Sequence, residues 1–537
     1  MAHESKEPAS PQGPVPANAA TGEEGAARRA KSSWGAGDSL AVALITLFGG
    51  ILRLFRVADP HQFIFDEVYY AKDACMYVKS SLQACSLDQF QSEVHPPLGK
   101  WLIAGGIKLF GFDSLGYRIG VVLAGTLSIA LLFLLARKIL KSTLGATMAA
   151  GLLAIDPLHF VQSRTSMIDV FVPLFAIAAF LFVVYDRERM LRALELGTLG
   201  GPRFGVLGRP WRLAAGIAAG CAFASKWTGA FVIVAVIALT ISWEISARRG
   251  RGWGRAVIGV VKEEGPTILL WMAFVPAMVY AATFIGRGID GSVLAFPWSE
   301  GSWWRTLWDS EFGRGIGTGE NHVASDLSFH QTLSSSHPYQ SPPWSWITIK
   351  RPVTYFYQSE DPEGNVREIM ATGSPFVWWS SILALLYVTF QWLRRPGLGR
   401  AEGVILAGFA FSYGPWLLPM DRPAVFIFYF VATIPFMCLA LGYVASRIGS
   451  SWEAKATISI FSVLALGFFA FYHPILTKRP LQSDDWDKRL LFFTDCDKPL
   501  GTETIETVTE VKNGSSITSE ETGHVNDDIP PDGWCWI

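Results

Sequence analysis

Half of the 537 residues are hydrophobic and only 17% are charged, which excludes an ordinary soluble domain. The net charge is −1, and Lys and Arg are spread over short loops, so no stripe for a polyanion is available and nucleic acid is excluded as a partner. The 21 Trp and 36 Phe fit a chain whose rings sit at membrane interfaces.

In chain order, residues 1–37 are poor in apolar side chains and read as a disordered cytoplasmic tail without a signal peptide. The first apolar stretch follows Arg28, Arg29 and Lys31 and is long enough to span, which predicts a retained anchor with a cytoplasmic N-terminus. Predominantly apolar segments of spanning length fall near 39–57, 117–136, 143–161, 167–185, 212–226, 228–245, 266–285, 375–392, 402–419, 424–444 and 455–473. The predicted fold is therefore an all-α polytopic membrane protein with 11 spans. The stretch 97–112 is short. Leu98, Trp101, Leu102, Gly105, Leu109 and Phe112 recur at helical spacing, with Lys100 and Lys108 on another side, which predicts an amphipathic helix lying in the interface within the first external loop.

This choice puts the loops bearing Arg187, Arg189, Arg192, Arg203 and Arg209, then Arg248, Arg249, Arg251 and Arg255, then Arg394, Arg395 and Arg400, on the cytoplasmic side. The external parts are 58–116, 286–374 and the C-terminal segment 476–537, decorating one membrane domain over 38–475. Cys75 and Cys85 share the first external loop, and Cys496 and Cys535 the external tail, whereas Cys221 and Cys438 lie within spans. Disulfides Cys75–Cys85 and Cys496–Cys535 are expected on the oxidising side, with four free thiols as the alternative.

The charged residues at span ends carry the chemistry. Asp66 and Glu67 follow the first span, Arg118 opens the second, and Asp156, Arg164 and Asp169 lie between the third and fourth. Lys226 ends the fifth, and Asp421 and Arg422 follow the ninth. All fall on the external side, and charge at membrane depth usually faces a cavity or a partner. Each has a bland reading: Arg118 and Lys226 as snorkelling residues, Asp156 or Asp421 as helix caps, Arg164 and Asp169 as an ion pair. Asp66 could cap a helix, but two adjacent carboxylates before Tyr69 and Tyr70 exceed what a cap needs. A carboxylate can take a proton from an attacking hydroxyl, and Arg or Lys can stabilise a departing phosphate, which together suit glycosyl transfer from a lipid phosphate sugar.

At these residues the chain resembles the protein O-mannosyltransferases of the C-type glycosyltransferase (GT-C) superfamily. The resemblance rests on FDEVYYAK at 65–72, HPPLGK at 95–100, GYRIG at 116–120, QSRTSMID at 162–169, SKWTG at 225–229, HPYQSPPWSW at 337–346, GSPFVWW at 373–379 and RPAVFIFYF at 422–430. It implies a GT-C bundle in which Asp66 is the general base toward a Ser or Thr hydroxyl and Glu67 positions acceptor or base. Arg118, Arg164, Lys226 and Arg422 become candidates for the donor phosphate, with Asp169 orienting Arg164, while His95 shapes the start of the amphipathic helix. The donor implied is polyprenyl-phosphate-mannose, with no other cofactor and no metal, and the transfer is a single displacement with inversion. Residues 286–374 are too few for the β-trefoil domain of fungal and animal members, so the resemblance is to bacterial, especially actinobacterial, members. These sit in the plasma membrane and modify secreted polypeptides, which makes the secretion channel a candidate partner. Two rivals remain: a GT-C transferase that decorates a lipid or cell-wall glycan, and a polytopic transporter. The second would bury charge at mid-membrane and show repeat symmetry, and neither is visible here.

Overall fold

The computed structural model describes residues 34–79, 81–87, 95–196, 208–286, 339–358, 361–395, 397, 400–418, 425–449, 451–490, 503–512 and 515–524. The helices in chain order are α1 (Ala36–Leu54), α2 (Glu67–Lys79), α3 (Pro97–Phe110), α4 (Ser114–Leu140), α5 (Thr143–Ala154), α6 (Pro157–Gln162), α7 (Phe171–Glu195), α8 (Pro210–Ser225) and α9 (Ala230–Arg248). Then come α10 (Trp253–Ala282), α11 (Pro375–Arg394), α12 (Ala401–Tyr413), α13 (Ile434–Ala445), α14 (Trp452–Tyr472) and α15 (Ser483–Leu490). Starts are set by local chemistry: Asp113, Ser142, Ser374 and Ser451 each turn a side-chain oxygen onto a first-turn backbone N–H.

Every one of the expected apolar segments contains a helix, but among the described residues only seven helices are long and apolar enough to cross a membrane. These are α1, α4, α7, α9, α10, α11 and α14, with adjoining short turns counted. The other four, α5, α8, α12 and α13, have 12, 16, 13 and 12 residues. They are short because the chain breaks beside polar or kinking residues. Asp156–Pro157 starts a new helix after α5, Lys226 is extended after α8, Gly414–Pro415 tightens the end of α12, and a 3₁₀ turn over Ile427–Ala432 precedes α13. Around Asp156–Pro157 the freed backbone lies among protein, where such breaks are tolerated.

Close helix crossings need small residues. A Cβ on Gly145 of α5 would stand 2.7 Å from the Gly442 carbonyl oxygen of α13, and one on Gly442 2.5 Å from that of Gly145. The two backbones therefore touch through paired glycines, the small-residue contact typical of membrane helices. At the arginine-rich ends, Arg209, Arg212 and Arg248 are not loop charges in water. They are buried with Asp186, Glu244 and Glu264, with Arg212 Nη1 2.7 Å from Glu264 and Arg248 Nη1 2.6 Å from Glu244, tying α7, α8, α9 and α10 together.

Helix α3 forms where the amphipathic helix is expected, but Lys100 does not project into water: it is 3% exposed and its Nζ lies 3.2 Å from Asp73 of α2. Cys75 of α2 is bonded to Cys85, as expected, whereas Cys496 and Cys535 lie outside the described residues. The all-α expectation fails in the loop before α11 and in the C-terminal segment. Strand β1 (Val353–Gln358) pairs antiparallel with β2 (Asn365–Ala371), and β2 pairs with the short β3 (Leu481–Gln482). A further hairpin, β4 (Glu503–Lys512) with β5 (Ser515–His524), follows in the C-terminal segment. The β-branched and aromatic residues of VTYFYQ favour a strand, a signal that is masked in a chain so rich in apolar residues.

The sheet ties the C-terminal segment to the loop before α11 through Glu368. Its carboxylate is 1% exposed and accepts from Thr354 Oγ1 and from Trp486 Nε1 of α15, each at 2.7 Å. Burial pushes its pKa up to about 7, against the pull of these two hydrogen bonds. A carboxyl raised on folding stabilises fully below its unfolded pKa and loses that contribution as pH rises through about 7. Glu368→Gln mimics the protonated form, so the variant is expected to melt higher than wild type at pH 8 and alike at pH 4.5. The gain should be on the order of 1–3 kcal/mol. Thermal unfolding of the detergent-solubilised protein at both pH values checks this; equal melting at pH 8 would refute it.

Candidate active site

The turn into α2 puts Asp66 and Glu67 on opposite errands. Phe65 has φ +48°, a left-handed conformation that is uncommon and strained for a bulky side chain. Its ring is held by Tyr355 of β1, stacked at 4.4 Å and 8°, and by the edge of Phe428 at 5.5 Å. Glu67, fully buried, faces the protein interior. Oε1 accepts from Arg118 Nε at 2.8 Å and the Ser166 N–H at 2.9 Å, and Oε2 from Arg118 Nη2 at 2.8 Å and the Ile64 N–H at 3.1 Å.

Arg118 is equally committed. Besides the bidentate pair with Glu67, Nη1 donates to the Val57 and Pro60 carbonyls, both at 2.9 Å, and Nη2 to that of Gln62 at 3.1 Å. A guanidinium has five N–H groups, and these bonds use all of them, so Arg118 has none left for a donor phosphate. It folds 57–67 over the end of α4 instead.

Arg164 also departs from expectation. It does not meet Asp169: Nη1 donates to the carbonyls of Leu52 (3.0 Å), Arg53 (2.8 Å) and Phe55 (2.7 Å), and Nη2 to that of Arg56 at 3.3 Å. It therefore satisfies the carbonyls left over at the end of α1, where a cation is also favoured by the helix dipole. Asp156 is a cap and a strut: one oxygen accepts from the His159 N–H at 3.0 Å, the other from Trp378 Nε1 at 2.8 Å. Arg422 and Asp421 lie outside the described residues.

What the fold does bring together is Asp66, Asp169 and Lys226. The backbone leaves α8 at Lys226, and the side chain reaches Asp169 Oδ1 at 2.6 Å, with Nζ 4.1 Å above the Tyr429 ring. Asp169 comes from the 3₁₀ turn Ile168–Val170 that leads into α7. Asp66 keeps a solvent-accessible edge but is otherwise surrounded by protein, and its carboxylate accepts from the Tyr70 hydroxyl at 3.5 Å. Burial pushes its pKa up to about 6; the Lys226 charge pulls against this and that of Asp169 adds to it. Tyr70 and Tyr355 are held well above their usual pKa, by burial first and then by the charges of both aspartates, so they are neutral hydroxyls facing the same recess. A carboxylate poised near neutrality in a cleft is suited to taking a proton. Tyr429 also lines a small void of about 20 Å³, together with Val172, Phe180, Thr228, Val232 and Trp416.

Residues 43–285 match the family model described as dolichyl-phosphate-mannose-protein mannosyltransferase, and 322–494 that of the C-terminal four-transmembrane region of protein-O-mannosyltransferase. A polyprenol-phosphate-mannose–protein mannosyltransferase of Mycobacterium tuberculosis is 30% identical over 491 residues, covering 83% of this chain and 90% of its own. The chain belongs to the protein O-mannosyltransferase family. A Corynebacterium glutamicum relative with the same description is 30% identical over 461 residues, covering 80% of this chain and 87% of its own. The fold agrees. The solved Saccharomyces cerevisiae Pmt1-Pmt2 complex bound to the sugar donor superposes with a TM-score of 0.66 at 16% identity, over 86% of this chain and 93% of that one.

Sequence reasoning passed over Tyr70, Gln162, Tyr355, Phe428 and Tyr429, all of which surround the recess. Four lie inside stretches already singled out, FDEVYYAK, QSRTSMID and RPAVFIFYF. Attention to charge alone hid them, because hydroxyls and rings do not stand out in an aromatic-rich membrane chain. Tyr355 lies in the unexpected strand and carried no signal.

Proposed function

We propose that this protein transfers mannose from polyprenol-phosphate-mannose to Ser or Thr hydroxyls of polypeptides at the external membrane face, with Asp66 as general base. The observation that carries this reading is the grouping of Asp66, a carboxylate of raised pKa, with the Lys226 ammonium that Asp169 holds and whose charge acts on it. Asp66 takes the proton of the acceptor hydroxyl as its oxygen bonds to the anomeric carbon. The bond from that carbon to the phosphate oxygen breaks, and the phosphate leaves with its negative charge toward Lys226. Attack opposite the leaving group inverts the anomeric centre. Glu67 holds the turn that aims Asp66 and acts as a positioning residue. Arg422 joins Lys226 at the phosphate on the strength of its motif. Membership of a family with bacterial relatives suits a plasma-membrane enzyme acting on secreted chains beside the secretion channel, with a cytoplasmic N-terminus.

Lys226→Met is expected to raise the KM for the lipid donor about 10- to 100-fold, the worth of one charge-assisted contact, with the acceptor KM unchanged. Membranes carrying wild type or variant, given radiolabelled polyprenol-phosphate-mannose and a Ser/Thr-rich peptide, measure this. No labelled peptide from wild-type membranes that consume the donor would overturn the proposed acceptor, and an unchanged donor KM would remove Lys226 from the phosphate.

A further inference from the structure

Three buried polar groups beside Asp66 have more hydrogen-bonding capacity than the protein uses. Gln162, the last residue of α6 and fully buried, donates through Nε2 to the Tyr355 hydroxyl at 2.9 Å, and its Oε1 has no partner among the described residues. Tyr355, 4% exposed, spends its oxygen as acceptor on that bond, which leaves its proton to donate elsewhere. Exchanging the two ends of the amide leaves the same tally: one amide group and one direction of the hydroxyl stay open. Asp169, 3% exposed, binds Lys226 through Oδ1, while Oδ2 has no partner among the described residues.

Unpaired buried polar atoms are costly and rare enough to call for an explanation. Here they cluster. Tyr355 stacks on Phe65, the neighbour of Asp66, and its hydroxyl feels the charges of both Asp169 and Asp66. The strained Phe65 turn is thus clamped by the same ring whose hydroxyl meets Gln162. The open set is two acceptors and one donor, all rigidly held. Lipid offers no partner for such a set and a peptide backbone offers few donors, whereas a hexose presents several hydroxyls that each donate and accept.

We propose that Gln162, Tyr355 and Asp169 form the subsite that grips the hydroxyls of the transferred sugar and sets which sugar is accepted. Resting on the mannosyl-transfer reading above, this adds specificity to the chemistry assigned to Asp66 and Lys226. Two or three sugar hydroxyls pair with the open atoms, holding the ring so that its anomeric carbon stands between the Asp66 carboxylate and the departing phosphate. A sugar that lacks one of these hydroxyls, or carries it in the epimeric orientation, leaves a buried group unpaired. Sites built this way discriminate far more strongly than apolar pockets do.

The test compares donors on the same protein preparation. Polyprenol phosphates bearing mannose, its C2 epimer glucose, and mannose lacking the hydroxyl at C2, C3, C4 or C6 are offered to wild type, Gln162→Leu and Tyr355→Phe. Tyr355→Phe keeps the ring stacked on Phe65. Wild type is expected to prefer mannose over at least one deoxy donor by about 10- to 100-fold in kcat/KM. In each variant that preference should fall to within about threefold for one particular deoxy donor and persist for the others, and Gln162→Glu, which keeps an acceptor, should restore part of it. Misfolded protein lowers both rates alike and cancels from the ratio. Preferences unchanged in both variants would overturn the subsite and leave the open atoms to water. Failure of wild type to use the mannose donor at all would instead overturn the mannosyl-transfer reading.

Discussion

Asp66→Asn is expected to lower the transfer rate by about 10³-fold, the share general-base catalysis commonly supplies, without unfolding the protein. Asparagine fits the same recess and can still meet the Tyr70 hydroxyl but cannot take a proton. In wild type the base works only when ionised, so kcat/KM should be flat above about pH 6 and fall tenfold per pH unit below it. The sign of two neighbours is fixed as well. Lys226 pulls the Asp66 pKa down, so Lys226→Met should move the inflection to higher pH; Asp169 pushes it up, so Asp169→Asn should move it to lower pH. Folding raises this carboxyl above its usual value near 3.8, so it stabilises below that pH and ceases to as pH rises through about 6. Asp66→Asn is therefore expected to melt no lower than wild type at pH 7.5, the stability signature of a strained functional group. Transfer assays across pH 5–8 with melting curves of the same preparations decide the matter. Activity surviving in Asp66→Asn, or a profile that does not respond to Lys226→Met, would take the base role away from Asp66.

The membrane body was legible because its signal is long-range and redundant: apolar runs of spanning length each became a helix. Helix lengths were less so. Hydropathy averages over a window, and it cannot see that Asp156–Pro157, Lys226 or Gly414–Pro415 stops a helix early at the recess. The break that shortens α8 also delivers Lys226 to Asp169. The charged residues of the site were found because charge in an apolar chain is conspicuous, but their partners were not, because partnership is set by three-dimensional approach. Asp169 and Arg164 are five positions apart, yet the turn between α6 and α7 sends one to Lys226 and the other to the end of α1. Lys100 has the spacing of the polar side of an amphipathic helix, yet it is paired with Asp73 of the preceding helix. Arg212 similarly pairs with Asp186 and Glu264, and Arg248 with Glu264, carboxylates more than 15 residues away that no local pattern announces.

Arg118 is where the resemblance and the geometry part, and the second large effect is expected there. Removing one partner of a buried ion pair strands the other, so Arg118→Ala leaves Glu67 charged and buried, at a cost of about 3–5 kcal/mol. The loss should be felt first in folding, because Arg118 also holds three carbonyls of 57–62 and, through Glu67, the Ser166 and Ile64 N–H groups. Arg118→Lys keeps the charge but supplies three donors in place of five, and is expected to lose roughly half of that stability. A residue on the donor phosphate behaves differently, since its loss raises the donor KM and leaves melting nearly unchanged. Melting temperature and donor KM measured together on purified Arg118→Lys therefore separate the two roles. A lowered melting temperature with reduced kcat and an unchanged donor KM marks a positioning residue, which acts by keeping Asp66 aimed at the recess. A raised donor KM with unaltered melting would return Arg118 to the phosphate and require its contacts with Glu67 to open when donor binds.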